Sequence, residues 1–437
     1  MSWLARYGAE GGSGSPRHLQ LLLGSPTAWL LMALVMVAAG CAGDGGYESR
    51  PSPPTPRETS TSGAAALQRE ARHPAGAAAS ARGAPPTGSQ LLTPVTSERE
   101  ARVLVDRLLP TNVSDRAAWT GDITRAFVAL RMTMTAERFC AAIAVIGQES
   151  GFQSDPTVPG LAGIAWRQIE QRREKYGIPK AVLDLALLKP SPDGRSYRVR
   201  IDALRTEAQM NALYEDLSSE VPGGRTLLAG FNPIRTGGPM QVSVAFAEEQ
   251  VLEKPYPYPV RDSVRKEVFT RRGGVYFGIA SLLDYPASYG QMIHRFADFN
   301  AGRYSSRNAA FQDALARVSG QKLSLDGDLL RYRADGSPAA EASETQRVTL
   351  SLRSRLNLGE GDILRDLRLE KSLAFEQTPL YLRLYALADS TTGERRPREL
   401  IPRIALKSPK ITRPLTTEWF ARRVDGRFRQ CLERGEP

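Results

Sequence analysis

The chain has 437 residues, 41% hydrophobic and 24% charged, which is enough to bury a substantial core and, on length, to hold two domains. Lys and Arg number 58 against 47 Asp and Glu, a net charge of +11 that favours anionic partners. The three His and three Cys have no metal-ligand spacing, and no recognition helix, RNA-binding motif, finger or phosphate-cradling glycine loop is present, so neither metal, nucleic acid nor cofactor is expected.

In chain order, Arg6 and Arg17 precede an uninterrupted apolar run, Ala28 to Ala39, too short to span a bilayer as a stable helix. Residues 1–40 therefore read as a secretory signal. The following Ala38-Ala39-Gly40-Cys41 resembles a bacterial lipobox, which makes the Cys41 thiol the expected lipid attachment point; a simple secreted chain or an uncleaved anchor are the alternatives. Ala42, not Asp, follows that Cys, which resembles the outer-membrane form of sorting and implies a lipid-anchored protein facing the periplasm. Removing 1–40, with Arg6, Arg17 and Glu10, leaves 56 basic against 46 acidic residues, still +10. Residues 41–97 are rich in Pro, Gly, Ser, Thr and Ala with almost no large apolar side chains, so they are expected to be a disordered tether reaching roughly 40 Å.

Helical patterning begins at Glu98 and dominates thereafter, predicting a mainly α protein. Helices are expected over Glu98 to Leu109, Asp115 to Arg131, Ala136 to Glu149, Lys180 to Leu188, Ala203 to Leu217, Val260 to Phe269, Val275 to Leu283, Ser288 to Phe299 and Arg307 to Val318. Two stretches alternate like strands, Tyr197 to Ile201 and Arg347 to Leu352. The domain expected from this pattern is 98–335, with a helical C-terminal appendage over 336–437 packed on it. Cys140 and Cys431, the two thiols left if Cys41 is lipidated, either pair in an oxidising compartment or remain buried and free.

Three segments carry chemistry. An apolar helix, Phe139 to Gln148, ends in Glu149-Ser150-Gly151-Phe152, which puts a carboxyl group in dry surroundings with its tip accessible, as a general acid requires. Gly237-Gly238-Pro239-Met240-Gln241 is a glycine turn that can bring an amide to a ligand, and Phe299-Asn300-Ala301-Gly302 is a helix end. Singly, these are an ordinary surface Glu, a tight loop and a C-cap.

Together and in this order they resemble the Glu-Ser, Gly-Leu-Met-Gln and Tyr-Asn-Ala-Gly motifs of the bacterial lytic transglycosylases, over Ala136 to about Val318. That resemblance implies a lysozyme-like fold in which Glu149 is catalytic, Ser150 supports substrate binding, Met240 and Gln241 floor the sugar site, and Asn300 with Gly302 turns over the cleft. With its lipobox and tether, the chain also looks like an uncharacterised proteobacterial lipoprotein family, a domain of unknown function. Three departures stand out. Pro239 replaces Leu; Phe299 replaces Tyr, so that Tyr276, Tyr285, Tyr289 or Tyr304 would have to supply the hydroxyl; and 241 minus 149 leaves 92 residues, implying an insertion at about 153–230. That insertion holds Trp166, Tyr176, Tyr197 and Tyr214, which read as core or as sugar-stacking faces; Tyr256 and Tyr258 stand in a stiff Pro-rich connector.

The implied activity is cleavage of the bond between N-acetylmuramic acid and N-acetylglucosamine, with one carboxyl as acid then base and a 1,6-anhydro product, and peptidoglycan strands as the partner. Asp155, the one near second carboxylate, would favour hydrolysis by water instead, with loop capping as its ordinary role. The non-enzymatic alternative is a peptidoglycan-binding or envelope-organising lipoprotein on the same scaffold. Oligomeric state is not readable from these residues.

Overall fold

Many of the helix starts are set by hydroxyl caps. In the computed structural model, which describes residues 93–222, 224, 232–333, 337–406 and 414–436, the Ser97 hydroxyl accepts from Glu100 N–H while the Glu100 carboxylate accepts from Ser97 N–H, opening α1 (Glu98–Leu108) with a capping box. Cys41, the signal segment and residues of the tether up to 92 lie outside the described residues. Thr135 likewise caps α3 (Ala136–Glu149), which follows α2 (Arg116–Ala129). From Phe139 to Ile146 every residue of α3 is buried, because α1, α10 (Arg271–Leu283) and α17 (Thr417–Gly435) all pack around it. An apolar run without a polar face is the pattern of an enclosed helix. With α8 (Val244–Glu253) and α11 (Met292–Ala301), these helices share one continuous hydrophobic core.

The segment between Glu149 and the glycine turn forms α4 (Leu161–Lys175), α5 (Lys180–Leu187), α6 (Tyr197–Asp202) and α7 (Glu207–Ser219) around a separate core of its own. A third core joins α12 (Ser305–Ser319) to α13 (Glu344–Ser351), α14 (Arg353–Leu356), α15 (Glu360–Leu367) and α16 (Pro379–Thr392). The closing helix α17 then returns to the first core, where Cys431 forms a disulfide with Cys140 of α3. A short helix α9 (Val264–Val268), a tighter helical turn over Leu373–Gln377 and two small antiparallel pairs are the other elements among the described residues. In the first pair, β1 (Thr236–Gly237) and β2 (Val242–Ser243) place Thr236 opposite Ser243 and Gly237 opposite Val242; the second joins β3 (Ala405–Leu406) to β4 (Leu415–Thr416). The protein is thus mainly helical.

Both expected strands are helices. In α6 the apolar side chains alternate, but Tyr197 and Ile201, four apart, are buried while Val199 between them is exposed, a helical and not a pleated pattern; Ser196 caps it. In α13 Thr345, Val348, Thr349 and Leu352 are buried, the spacing of one helical face, and the Ser343 hydroxyl accepts from Gln346 N–H. The helix expected over Ala203 to Leu217 begins at Glu207, because Thr206 and Gln209 form a capping box that fixes its start, and α4 has no counterpart among the expected helices.

Candidate functional site

Glu149 is the last residue of α3 and is half-buried. Ser150, at the C-cap, is buried and donates its hydroxyl to Ile146 O at 3.0 Å, so its side chain closes the helix. Gly151 and Phe152 both have positive φ, +58° and +65°, and turn the chain sharply back. The Phe152 ring lands over Gly147, where an added Cβ would lie 3.3 Å from it, and meets Trp119 edge-on with centroids 5.5 Å apart. Arg271 lies over the same indole at 5.7 Å and is held by Asp122 and Asp115. Aromatic and ionic packing therefore fix the turn beyond Glu149.

The glycine turn is built against α10. A Cβ at Gly238, φ +73°, would sit 2.1 Å from Val268 O. Pro239 packs on Gly274 and Met240 on Gly278, residues four apart on one face of α10, so the missing side chains are the groove that receives the turn. Met240 is fully buried in the first core, together with Ile146 of α3, and so is a wedge beneath the turn and not an accessible sugar floor. Gln241 is half-buried with φ +52°. Its Nε2 donates to Glu207 Oε2 at 2.8 Å and to Gly238 O at 3.4 Å, and its Oε1 accepts from the Thr236 hydroxyl at 3.4 Å.

Glu207, 4% exposed at the start of α7, is the residue that sequence reasoning missed. Its one signal is its place behind the Thr206 cap, where a helix start and an acidic side chain coincide. The same helix start is tied to the loop after Glu149: Thr157 bridges Thr206, and Val158 N–H donates to Arg205 O at 2.8 Å. Burial raises the pKa of the Asp155 carboxyl above the ordinary range. The insertion thus returns one helix end to both the Glu149 loop and the Gln241 turn.

Asn300 and Gly302 end α11, against the start of α17. Asn300 is exposed and its Oδ1 accepts from the Thr417 hydroxyl at 3.0 Å, at the N-terminal end of α17; Gly302 turns the chain at φ +110°. Further along α17 Phe428 meets Phe296 with centroids 5.6 Å apart, and Arg427 donates to Gln148 Oε1 at 3.2 Å. Two residues before Asn300, Asp298 is buried and accepts from the hydroxyls of Tyr285 and Tyr289 at 3.2 and 2.6 Å and from Tyr304 and Ser306 N–H at 2.8 and 2.7 Å. Burial pushes its pKa up to about 6. Tyr276 donates to Pro255 O at 3.1 Å and Tyr304 to Pro286 O at 2.9 Å, so all four tyrosines expected to replace the missing hydroxyl are committed to other partners.

The aromatics of the insertion divide. Tyr197 and Tyr214 are core, Trp166 donates to Asp202 and lies beneath Arg198, and Tyr176 is exposed. The Tyr256 and Tyr258 hydroxyls donate to Glu267 and Asp122. Among the described residues no group of three His, Cys, Asp or Glu is arranged to hold a metal ion, and no helix is long and apolar enough to cross a membrane.

Fold and site together define a mainly helical protein in which an apolar helix ending in a carboxyl group and a glycine turn share one core. The chain belongs to a family described as a protein of unknown function (DUF1615), matched over residues 112–434, a span that includes the insertion and reaches into the closing helix. It is similar to the uncharacterized protein YaiW of Escherichia coli (strain K12), 48% identical over 330 residues, which are 76% of this chain and 89% of that relative. No solved structure matches it.

Proposed function

We infer that the protein is a lipid-anchored lytic transglycosylase on a lysozyme-like scaffold, held through Cys41 at the periplasmic face of the outer membrane and acting on peptidoglycan strands. The observation that carries this reading is the half-buried Glu149 at the end of a helix whose core is continuous with the Met240-Gln241 turn. In the reaction, Glu149 gives its proton to the glycosidic oxygen as the bond to muramyl C1 breaks. The carboxylate then takes the proton of the muramyl C6 hydroxyl as that oxygen closes on C1, so the acid is regenerated and no water is consumed. General acid-base action of this kind is worth about a hundred- to ten-thousandfold. The test is release of 1,6-anhydromuropeptides from purified sacculi by the full chain, with Glu149→Gln expected to abolish it; undiminished release by that variant removes Glu149 from the reaction. Products ending in a reducing muramic acid would instead assign water as acceptor.

One observation favours a second reading. The Gln241 amide is bonded to Glu207 and Asn300 to Thr417, so both of these motif side chains have internal partners. In that reading the protein binds peptidoglycan or organises the envelope without cleaving it, and retention on sacculi with no product from either wild type or variant is the expected result.

A further inference from the structure

Three groups surround the Gln241 amide, and their chemistry decides which way it faces. Gly238 O can only accept and Glu207 Oε2 accepts as a carboxylate, and both lie on Nε2, at 3.4 and 2.8 Å; the Thr236 hydroxyl donates to Oε1 at 3.4 Å. Both amide protons are therefore used inside the protein, while Oε1 keeps a second lone pair. The strongest of these contacts comes from the insertion, whose α7 start is held on its other side by the Thr157–Thr206 bridge to the loop after Glu149.

We propose that Glu207 is a positioning residue that fixes Gln241 as a hydrogen-bond acceptor, so that the half-buried amide recognises an N–H donor of its ligand. This rests on the glycan reading above and deepens it, because an acetamido sugar carries such an N–H at C2. With the carboxylate removed, the amide is free to rotate by half a turn and to offer its NH2 in place of its oxygen, and the discrimination disappears. A role confined to holding α7 in place would not depend on the ligand's N–H at all.

The test uses the full chain carrying Glu149→Gln, so that bound glycan is not cleaved. Its affinity is measured for the N-acetylglucosamine trisaccharide and for the analogue whose acetamido nitrogens are methylated and carry no hydrogen. The expected parent preference for the N–H sugar is about fivefold, the value of one hydrogen bond, retained in Glu207→Gln, whose carbonyl still accepts, and erased in Glu207→Leu. An undiminished preference in folded Glu207→Leu overturns the proposal. If the parent binds neither sugar, the glycan reading fails, and the positioning claim is judged by hydrogen exchange of glutamine side-chain amides in selectively labelled chain. Both Gln241 protons are expected to exchange more slowly than those of exposed Gln153 in wild type and Glu207→Gln, and to lose that protection in Glu207→Leu. Should Glu207→Leu fail to fold, the wild-type measurement decides alone: equal exchange at Gln241 and Gln153 overturns the claim.

Discussion

Replacing Gly278 by Ala sets two opposing effects against each other in one helix. Ala is favoured over Gly in a helix interior by about 1 kcal/mol, and Gly278 lies inside α10 with ordinary helical backbone, so propensity alone predicts a gain in stability. The structure predicts a loss. An added Cβ would lie 2.4 Å from Met240 Sδ, 2.5 Å from its Cβ and 2.8 Å from its Cγ, distances that require movement. The sulfur alone could swing aside, but the Met240 Cβ moves only with the backbone of the turn, and the next residue, Gln241, already sits at φ +52°. Met240 is 0% exposed, so no solvent space receives it. Overpacking of this kind costs about 1–3 kcal/mol, which leaves a net loss of up to about 2 kcal/mol after the propensity gain. Denaturant unfolding of Gly278→Ala and of a double variant that also carries Met240→Ala checks both halves. The double variant should be less destabilised than the sum of the single changes, because truncation removes the Sδ and Cγ overlaps and leaves only that of Cβ. A Gly278→Ala protein more stable than wild type would refute the packing argument and with it the view that the turn is seated in a glycine groove.

Breaking the Cys140–Cys431 bridge, which closes a sequence separation of 291, with reductant or by Cys431→Ser should cost about 3–5 kcal/mol and be read as a fall in urea midpoint; equal midpoints with and without reductant would show that α17 is held by packing alone. Burial lifts the pKa of Glu370 from 4.5 to about 7. The folded state therefore holds this proton where the unfolded chain has released it, so its contribution to stability is greatest below about pH 4.5 and falls, by on the order of 3 kcal/mol, as pH rises through 7. Glu370→Gln should remove that part of the slope, and identical pH profiles for variant and wild type would count against it. Asp298→Ala leaves the hydroxyls of Tyr285 and Tyr289 and two N–H groups at the start of α12 without their acceptor, an expected loss of about 3–5 kcal/mol in thermal or urea unfolding; a loss below 1 kcal/mol would show that water replaces the carboxylate.

The helices that sequence reading recovers are those with a continuous apolar face or a hydroxyl cap, such as α3 behind Thr135 and α1 behind Ser97. Its errors have a common physical source. Tyr197-Arg198-Val199-Arg200-Ile201 satisfies a period of two and a helical period at once, since positions one and five belong to the same face in both, and only the Ser196 cap and the exposure of Val199 separate them. The site was harder to read because its geometry is long-range. Met240 looks like a ligand contact beside a glycine turn, and what makes it a wedge is the gap left by Gly274 and Gly278 on a helix that comes later in the chain. Glu207 carries no local mark beyond its place at a capped helix start, because its partner, Gln241, belongs to a turn beyond the end of the insertion.

The insertion bears on whether Gln241 is a recognition group or a merely structural amide. Its hydrophobic core is distinct from the one beneath the turn. Burying a carboxylate there costs on the order of a few kcal/mol unless hydrogen bonds offset it, and an apolar side chain at the same place would avoid that cost. A merely tolerated insertion has no physical reason to bring a 4% exposed carboxylate to an amide in a different core. An insertion that sets the polarity of that amide does, which is why loss of discrimination between N–H and N-methyl sugars, and not loss of stability, is the result that separates the two accounts.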